Sequence, residues 1–392
     1  MKRNYIIPIF VPHLGCPMAC TFCNQKKISG EEKQVRAKDV KKTIEYYLKN
    51  FKDDDAHIEV AFFGGSFTGI DEKIQNELLE AANIYIDEGK VDSIRISTRP
   101  DYIDKKILKR LKKYNVKCIE LGVQSTNDYI LKRAKRGHTF ADVKKASRLI
   151  RWKGFTLGHQ MMIGLQDSTL IDEMNTAKDL AKLKPKMVRI YPVLVIKGTE
   201  LEQEYIEGEY EPLTVEQAIE RCKEIYNYFN KKKINVIRIG LQNTEEISDP
   251  KNDTSEVVAG PYHENFRQLV ESSIYYDAIV EKIKSVNVKV KEIKITCNPK
   301  IASNIVGYKK SNIIKLNEIY DVNLVVEQDE KFPIDKYSMI ITKEYKDYDS
   351  EDDMVLSKCS IKANKKNIYR IKWVMKWINL ILKLIFQLIL LT

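Results

Sequence analysis

Tyr5-Ile6-Ile7-Pro8-Ile9-Phe10-Val11-Pro12-His13-Leu14-Gly15-Cys16-Pro17-Met18-Ala19-Cys20-Thr21-Phe22-Cys23-Asn24 runs from an apolar, β-branched stretch straight into three cysteines. The stretch at 5–11 reads as a strand, so the cysteines lie on the loop that leaves it. Moving outward, short apolar runs recur at 57–63, 93–97, 117–123, 156–162 and 187–193. Between them lie amphipathic stretches at about 38–50, 72–88, 103–114, 140–153, 170–184 and 214–232, with helical spacing of their apolar residues. Six β-then-α units, with strands apolar enough to be buried on both faces, predict an α/β fold: a parallel sheet curled into a barrel or partial barrel. In such a sheet the functional loops lie at the carboxyl ends of the strands.

The remainder of the chain is organised differently. A seventh strand fits at 235–241, and the polar run 243–256 reads as a linker or surface loop. A helical pattern at 262–285 and strand-like runs at 288–297, 319–327 and 338–343, with a short helix between the first two runs, predict a small α+β module. The expected domains are thus a barrel at 1–242, a module at 257–343, an acidic then basic linker at 344–371 and an apolar amphipathic helix or tail at 372–392. In that last segment Lys372, Lys376, Asn379, Lys383 and Gln387 make one narrow polar stripe on a helix. It reads as a helix touching a membrane surface or docked in a protein groove. A membrane span is the weaker reading, because Lys383 would sit mid-segment, and an irregular extension foreign to the fold is the plainest one.

Composition narrows the class. The 392 residues are 43% apolar, enough to bury the cores of two ordinary domains. The net charge of +11 suggests nucleic acid at first sight. Eight of those charges, however, are Lys or Arg beyond residue 353, which leaves only +3 on the body. The N-terminal run lacks a small-residue cleavage site and does not read as a signal peptide, which predicts a cytoplasmic protein, associated with a membrane only through its last segment.

Three of the seven cysteines fall within eight residues, and Cys118, Cys222, Cys297 and Cys359 are scattered singly. A tight triplet reads as a metal site in a reducing compartment rather than a disulfide framework. Cys16, Cys20 and Cys23 can ligate three irons of a 4Fe-4S cluster and leave the fourth open, whereas electron-carrier clusters usually take four cysteines. Zinc with His13 as fourth ligand is the competing reading of the same sulfurs.

The Cys-x3-Cys-x2-Cys spacing, with Phe22 before the last sulfur and a first strand before the first, resembles the radical S-adenosylmethionine superfamily. Five strand-end motifs sharpen the likeness: Phe63-Gly64-Gly65-Ser66-Phe67-Thr68, Ile94-Arg95-Ile96-Ser97-Thr98-Arg99-Pro100-Asp101-Tyr102, Ile119-Glu120-Leu121-Gly122-Val123-Gln124-Ser125, His159-Gln160-Met161-Met162-Ile163-Gly164-Leu165 and Arg189-Ile190-Tyr191-Pro192-Val193-Leu194-Val195-Ile196-Lys197-Gly198-Thr199-Glu200-Leu201. With Arg136-Gly137-His138-Thr139, they resemble in order the radical domain of the Elongator catalytic subunit (elongator protein 3) over about residues 5–240. Two departures stand out. That family has a wider cysteine spacing, and residues 243–353 show no Gly-rich loop of the acetyl-CoA type. The family's carboxymethylation of tRNA wobble uridine therefore does not carry over.

The resemblance implies a partial (β/α)6 TIM-like barrel of the radical SAM type. It implies a 4Fe-4S cluster on Cys16, Cys20 and Cys23, S-adenosyl-L-methionine on the open iron, an electron donor such as flavodoxin or ferredoxin, and tRNA or another large substrate. Gly64, Gly65 and Ser66 would let the backbone approach the methionine ammonium, or else form a plain tight turn. Ser97, Thr98 and Arg99 offer hydroxyls and a guanidinium to ribose or carboxylate, with packing and a surface turn as the blander readings. Glu120 and Gln124, four apart on one strand face, point toward the barrel mouth as catalytic or ribose-binding groups; a structural ion pair serves Glu120 equally well. His159 is a cofactor-binding candidate or a core histidine. Tyr191 and Lys197 are catalytic candidates on the substrate side, with simple solvation the alternative for Lys197. His138 reads better as a helix-cap neighbour than as a ligand. Gly260-Pro261-Tyr262-His263 and Arg267 either close over the mouth or simply cap a helix. RNA is suggested by kinship and by the basic loop 132–136. An iron–sulfur or zinc redox-sensing module without radical chemistry, and a porphyrin-pathway enzyme of the same superfamily, are the competing functions.

Overall fold

The computed structural model describes residues 4–11, 16, 20–24, 34–52, 55–244, 246–286, 288–343 and 361–364. His13, the acidic run 344–353 and the apolar segment 372–392 lie outside the described residues. The chain divides into two compact units, residues 1–267 and 268–392.

The first unit is built on a seven-stranded sheet of β1 (Asn4–Val11), β2 (His57–Gly64), β3 (Ser93–Thr98), β4 (Val116–Gln124), β5 (Thr156–Ile163), β6 (Met187–Pro192) and β8 (Asn235–Ile239), hydrogen-bonded in that order. Every pairing is parallel. The six predicted units are present, and the seventh strand adds to β6 rather than returning to β1, so the curled sheet stays an open half-barrel. Helix starts follow local chemistry. The helix Lys105–Lys113 begins where the Asp104 carboxylate accepts the Ile107 N–H. Thr139, Thr169 and Thr214 each close a capping box on Phe140–Trp152, Leu170–Lys182 and Val215–Lys231. Caps of this kind contribute about 1 kcal/mol each, and each stands just beyond the loop that leaves a strand's carboxyl end.

Two short helices, Asp128–Arg133 and Glu200–Ile206, and a two-strand ribbon of β7 (Val195–Ile196) and β9 (Val257–Ala259) were not expected from the sequence. The polar run 243–256 is mostly exposed, yet Ile247 is buried with Leu194, Ile196 and Val257. One apolar residue in a polar loop thus ties the run back to the first unit.

In the second unit β10 (Val290–Cys297) lies between β11 (Asn323–Gln328), parallel to it, and β12 (Lys336–Lys343), antiparallel to it. β13 (Ile361–Asn364), within the stretch read as linker, pairs with β12. Ile293, Ile295, Ile305 and Leu316 form the core. The strand-like run at 319–327 is corrected: Ser311–Tyr320 is helical, Asp321 ends it at φ 55°, and the strand starts at Asn323. Two helices, not one short one, separate β10 from β11. Among the described residues no helix is long and apolar enough to cross a membrane.

Candidate active site

The three cysteines lie just past β1, at the carboxyl end of the parallel sheet. Cys16 is half-buried, Cys20 is buried, and the Cys23 N–H donates to the Cys20 carbonyl at 3.0 Å. Burial pushes the Cys16 thiol up, while Arg99, donating to it, and Arg136 pull it down. Arg136 Nη1 donates to Cys20 Sγ at 3.2 Å and Nη2 to the Gly122 carbonyl at 2.8 Å. Arg99 is gripped bidentately by Asp101, with Nε–Oδ1 at 3.0 Å and Nη2–Oδ2 at 2.8 Å. Among the described residues no three metal-binding side chains converge on one point. The donor chemistry nonetheless fits an anionic thiolate-bound group: soft sulfurs on one loop, faced by two buried guanidiniums. Arg99 Nη1, Arg136 Nε and Gln124 Oε1 are buried polar atoms that no protein group satisfies, as expected of a site shaped for a polar ligand.

The loop is fixed from the far side of the sheet. Thr21 Oγ1 and the Gln166 side-chain amide are 2.9–3.0 Å apart, Gln166 Nε2 donates to Glu204 at 3.1 Å, and Arg133 Nη1 donates to Glu204 at 2.7 Å. The Leu201 N–H reaches the Thr21 carbonyl at 2.8 Å, and Asn24 donates to the Lys197 carbonyl at 3.2 Å. Phe22 packs against the cluster of Ile130, Leu165, Val195 and Leu201.

At the end of β2, Gly64 has φ +105°, and a Cβ there would stand 2.4 Å from the Val11 carbonyl oxygen. Its freedom therefore serves the close approach of β2 to the residue that leads into the cysteine loop. The Gly65 N–H donates to that same carbonyl at 3.2 Å. Beyond it runs a chain of hydroxyls. Thr68 Oγ1 donates to the Tyr102 carbonyl at 2.8 Å, Thr98 Oγ1 lies 2.5 Å from Thr68 Oγ1, and Ser66 Oγ lies 2.8 Å from Thr98 Oγ1. Each hydroxyl has a single proton, so the protons run from Ser66 to Thr98 to Thr68 to Tyr102. The Arg99 N–H donates to Ser66 at 3.2 Å. These hydroxyls can accept from a ligand, but they donate only if the relay breaks.

Deeper in the half-barrel is a buried ion network. Arg95 bridges Glu59 and Glu120, the latter at 2.9 Å, and Arg189 grips both Glu120 oxygens at 2.6 and 3.1 Å. Glu120 is 1% exposed. Burial alone would raise its carboxyl, but Arg189 and Arg95 hold it below the usual range. A Cβ on Gly158 would lie 2.8 Å from Glu120 Cγ, so this glycine makes the room. Gln160 reaches Glu120 and Ser97 at 3.4 Å. Arg95 precedes Arg99 by four residues, which places the floor of the network about 13 Å below the mouth. Of the two readings of Glu120, this is the ion pair.

The other candidates divide. Gln124 follows a register shift in β4 and has φ +68°, so the alternation that would place it on the face of Glu120 ends before it. Its Nε2 and Arg136 Nη2 both stand close over Gly122, 3.3 and 3.4 Å from where a Cβ would be. His159 is a core histidine under the helix Phe140–Trp152: it is fully buried, its Nε2 is 2.9 Å from Ser147 Oγ, and burial pushes it down to about 3. Tyr191 is half-buried beside Arg189, and burial raises its hydroxyl. Lys197 is exposed and donates to the Ser255 carbonyl at 2.7 Å. His138 adjoins the Thr139 cap and shares a hydrogen bond with the Val123 carbonyl at 3.2 Å. In the basic loop 132–136, Arg133 pairs with Glu204, Lys135 with Glu200, Arg136 is buried, and Lys132 and Lys135 remain exposed. In the Gly260-Pro261-Tyr262-His263 set, Gly260 (φ +113°) would place a Cβ 3.1 Å from the Val193 carbonyl oxygen, and Arg267 donates to the Val236 carbonyl. Arg136 and Asp101 were not singled out from sequence; their signal was their place in two of the quoted motifs.

Comparison with known proteins gives this geometry its class. Residues 10–180 match the radical SAM superfamily and residues 185–276 the radical SAM C-terminal domain. A tRNA uridine(34) acetyltransferase of Methanocaldococcus jannaschii is 38% identical over 136 residues, 34% of this chain and 25% of that protein. An uncharacterised protein of the same organism is 31% identical over 215 residues, 54% of this chain and 63% of its own length. The chain thus spans only part of these relatives. In solved structures, the archaeal Elp3 of Methanocaldococcus infernus, lacking its N-terminus, superposes with a TM-score of 0.54 at 20% identity, covering 98% of this chain and 92% of that one, and so supports the fold. The chain belongs to the radical S-adenosylmethionine superfamily, with a radical domain of Elp3-like type, and is an enzyme of that class.

Proposed function

We propose that Cys16, Cys20 and Cys23 hold a 4Fe-4S cluster with one iron open to S-adenosylmethionine, and that the enzyme modifies RNA. Reductive cleavage of the bound sulfonium to a 5′-deoxyadenosyl radical is the chemistry those groups supply; the electron would come from a donor such as flavodoxin or ferredoxin. The observation that carries this reading is the pair of buried guanidiniums on the cysteine loop, with Arg136 Nη1 on Cys20 Sγ. Arg136 and Arg99 balance the negative charge of the thiolates and orient the loop. Ser66, Thr98 and Gln124 would offer acceptors to the ammonium and ribose hydroxyls of the bound group, and Arg99 Nη1, which no protein group satisfies, would take its carboxylate. Glu59, Arg95, Glu120 and Arg189 form a rigid floor beneath them.

RNA as the large substrate rests on the likeness to tRNA uridine(34) acetyltransferases. The test has two stages. Anaerobically reconstituted protein given dithionite and S-adenosylmethionine should release 5′-deoxyadenosine, and Cys16→Ala should not. A colourless protein carrying one zinc would refute the cluster. Nucleoside mass spectrometry of tRNA from a strain lacking the gene should then show a missing modified base; an unchanged profile would refute RNA.

A further inference from the structure

Outside the mouth, the helices Lys105–Lys113 and Phe140–Trp152 flank an open groove of about 910 Å³. Its walls carry Lys105, Lys106, Lys144, Lys145 and Arg148, and Trp152 stands at one side. The first helix, KKILKRLKK, has six cations and no acid; it turns Leu108 and Leu111 inward and leaves its lysines outside. The carboxylates near the groove are already engaged. The Asp104 and Asp142 carboxylates accept backbone N–H groups at helix N-termini, and Glu72 pairs with Arg110 at 2.6 Å and more loosely with Lys106 of the groove at 3.7 Å. Trp152 is 69% exposed, an unusual placement for the largest apolar side chain. Two ammonium groups lie over its ring, Lys153 Nζ at 4.4 Å and Lys105 Nζ at 6.0 Å from the centroid. Lys144 stands over Phe140 at 4.7 Å.

We infer that this groove is a docking surface for RNA, with Lys144, Lys145 and Arg148 on backbone phosphates and the Trp152 face stacking an unpaired base. Clustered cations alone would suit any polyanion, including an acidic protein. An exposed indole with ammonium groups close by adds a flat surface on which any base can stack, and that combination is how single-stranded nucleic acid is held. Placement agrees. The helix Phe140–Trp152 packs against Pro100–Tyr102, directly after Arg99, so the groove begins beside the loop that faces the cysteines. The low net charge of the body is no objection, because five cations line this one groove whatever the balance elsewhere.

The inference deepens the reading of RNA as substrate and is tested apart from it. Binding of the reconstituted full chain to an unmodified tRNA transcript would be followed against salt. Lys144→Glu with Arg148→Glu should weaken binding at least ten-fold and lower the salt slope by about 1.5–2. Trp152→Ala should weaken it about ten-fold with little change in slope. The control, Lys41→Glu with Lys42→Glu on the helix Ala37–Asn50, makes the same change in net charge elsewhere and should leave binding within two-fold. Equal losses in control and groove variants, no loss in either, or a groove variant impaired only in reduction by an acidic donor protein would each overturn the groove. Release of 5′-deoxyadenosine without RNA should be unchanged in all of them. Its absence in the wild-type protein would sink the radical reading instead, and leave the binding result to stand or fall alone.

Discussion

Glu120→Gln separates a structural carboxylate from a chemical one. Glu120 takes two bonds from Arg189, at 2.6 and 3.1 Å, and one from Arg95 at 2.9 Å, in a site 1% exposed. The amide cannot balance two guanidiniums, and its NH2 group points a donor at other donors. Breaking a buried pair from one side costs about 3–5 kcal/mol, because the remaining charge stays desolvated. For a unit of this size that lowers the melting temperature by about 6–20 °C. The carboxyl is held below its ordinary range, so its stabilisation is complete above the unfolded value near pH 4.3 and is lost as the pH falls through the folded value. The variant should therefore lose the part of the acid-induced fall in stability that Glu120 contributes. Thermal melts by circular dichroism, paired with 5′-deoxyadenosine yield at a temperature where both proteins are folded, decide the matter. A variant that melts within 2 °C of the parent but releases no 5′-deoxyadenosine would refute the ion-pair reading and make Glu120 a chemical participant.

Other substitutions probe the mouth and the sheet. Arg136→Gln removes a charge-assisted N–H···S bond from Cys20, of the kind worth about 1.5–3 kcal/mol; a reductive titration followed by electron paramagnetic resonance should show the cluster harder to reduce, with Arg136→Lys intermediate, and an unmoved potential would count against the contact. Gly64→Ala places a methyl 2.4 Å from the Val11 carbonyl oxygen at φ +105°, at a cost of about 3 kcal/mol or more in strain and overpacking; iron content after anaerobic purification should drop along with the melting temperature, and full loading would show that the loop does not depend on this contact. Burial, with Arg136 adding for His138, pushes His138 down to about 4 and His159 to about 3. Below about pH 6.5 the unfolded chain binds protons at both rings that the folded chain refuses, so stability should fall between pH 6.5 and 4; a melting temperature flat across that window would be the contrary result.

The strands, most helices and the cysteine loop could be read from sequence because each rests on local signals: a β-branched run, a Thr or Asp cap, three sulfurs in eight residues. What could not be read depends on partners far apart in the chain. Thr21 and Gln166 are 145 positions apart, and nothing local marks either as half of a clamp. Arg136 sits in a run of cations that looks like a surface, yet its partner is Cys20, 116 residues away. Alternation along β4 put Gln124 on the face of Glu120, and the register shift that ends this alternation arises from strand pairing. His159 stood polar in an apolar run, which is the mark of a pocket and of a core hydrogen bond alike; here the partner is near in sequence, Ser147 on the preceding helix, but only the packing of that helix on β5 decides for the second.

The tether running from Thr21 through Gln166 to Glu204 and Arg133 has a temporal consequence. The sulfurs emerge from the ribosome first, but the side chains that hold their loop are translated some 110 to 185 residues later. On the proposed cluster assignment, metallation would come late in biogenesis, after the C-terminal half of the half-barrel is made. Iron labelling of ribosome-bound chains of increasing length should show uptake rising only once Glu204 has cleared the exit tunnel.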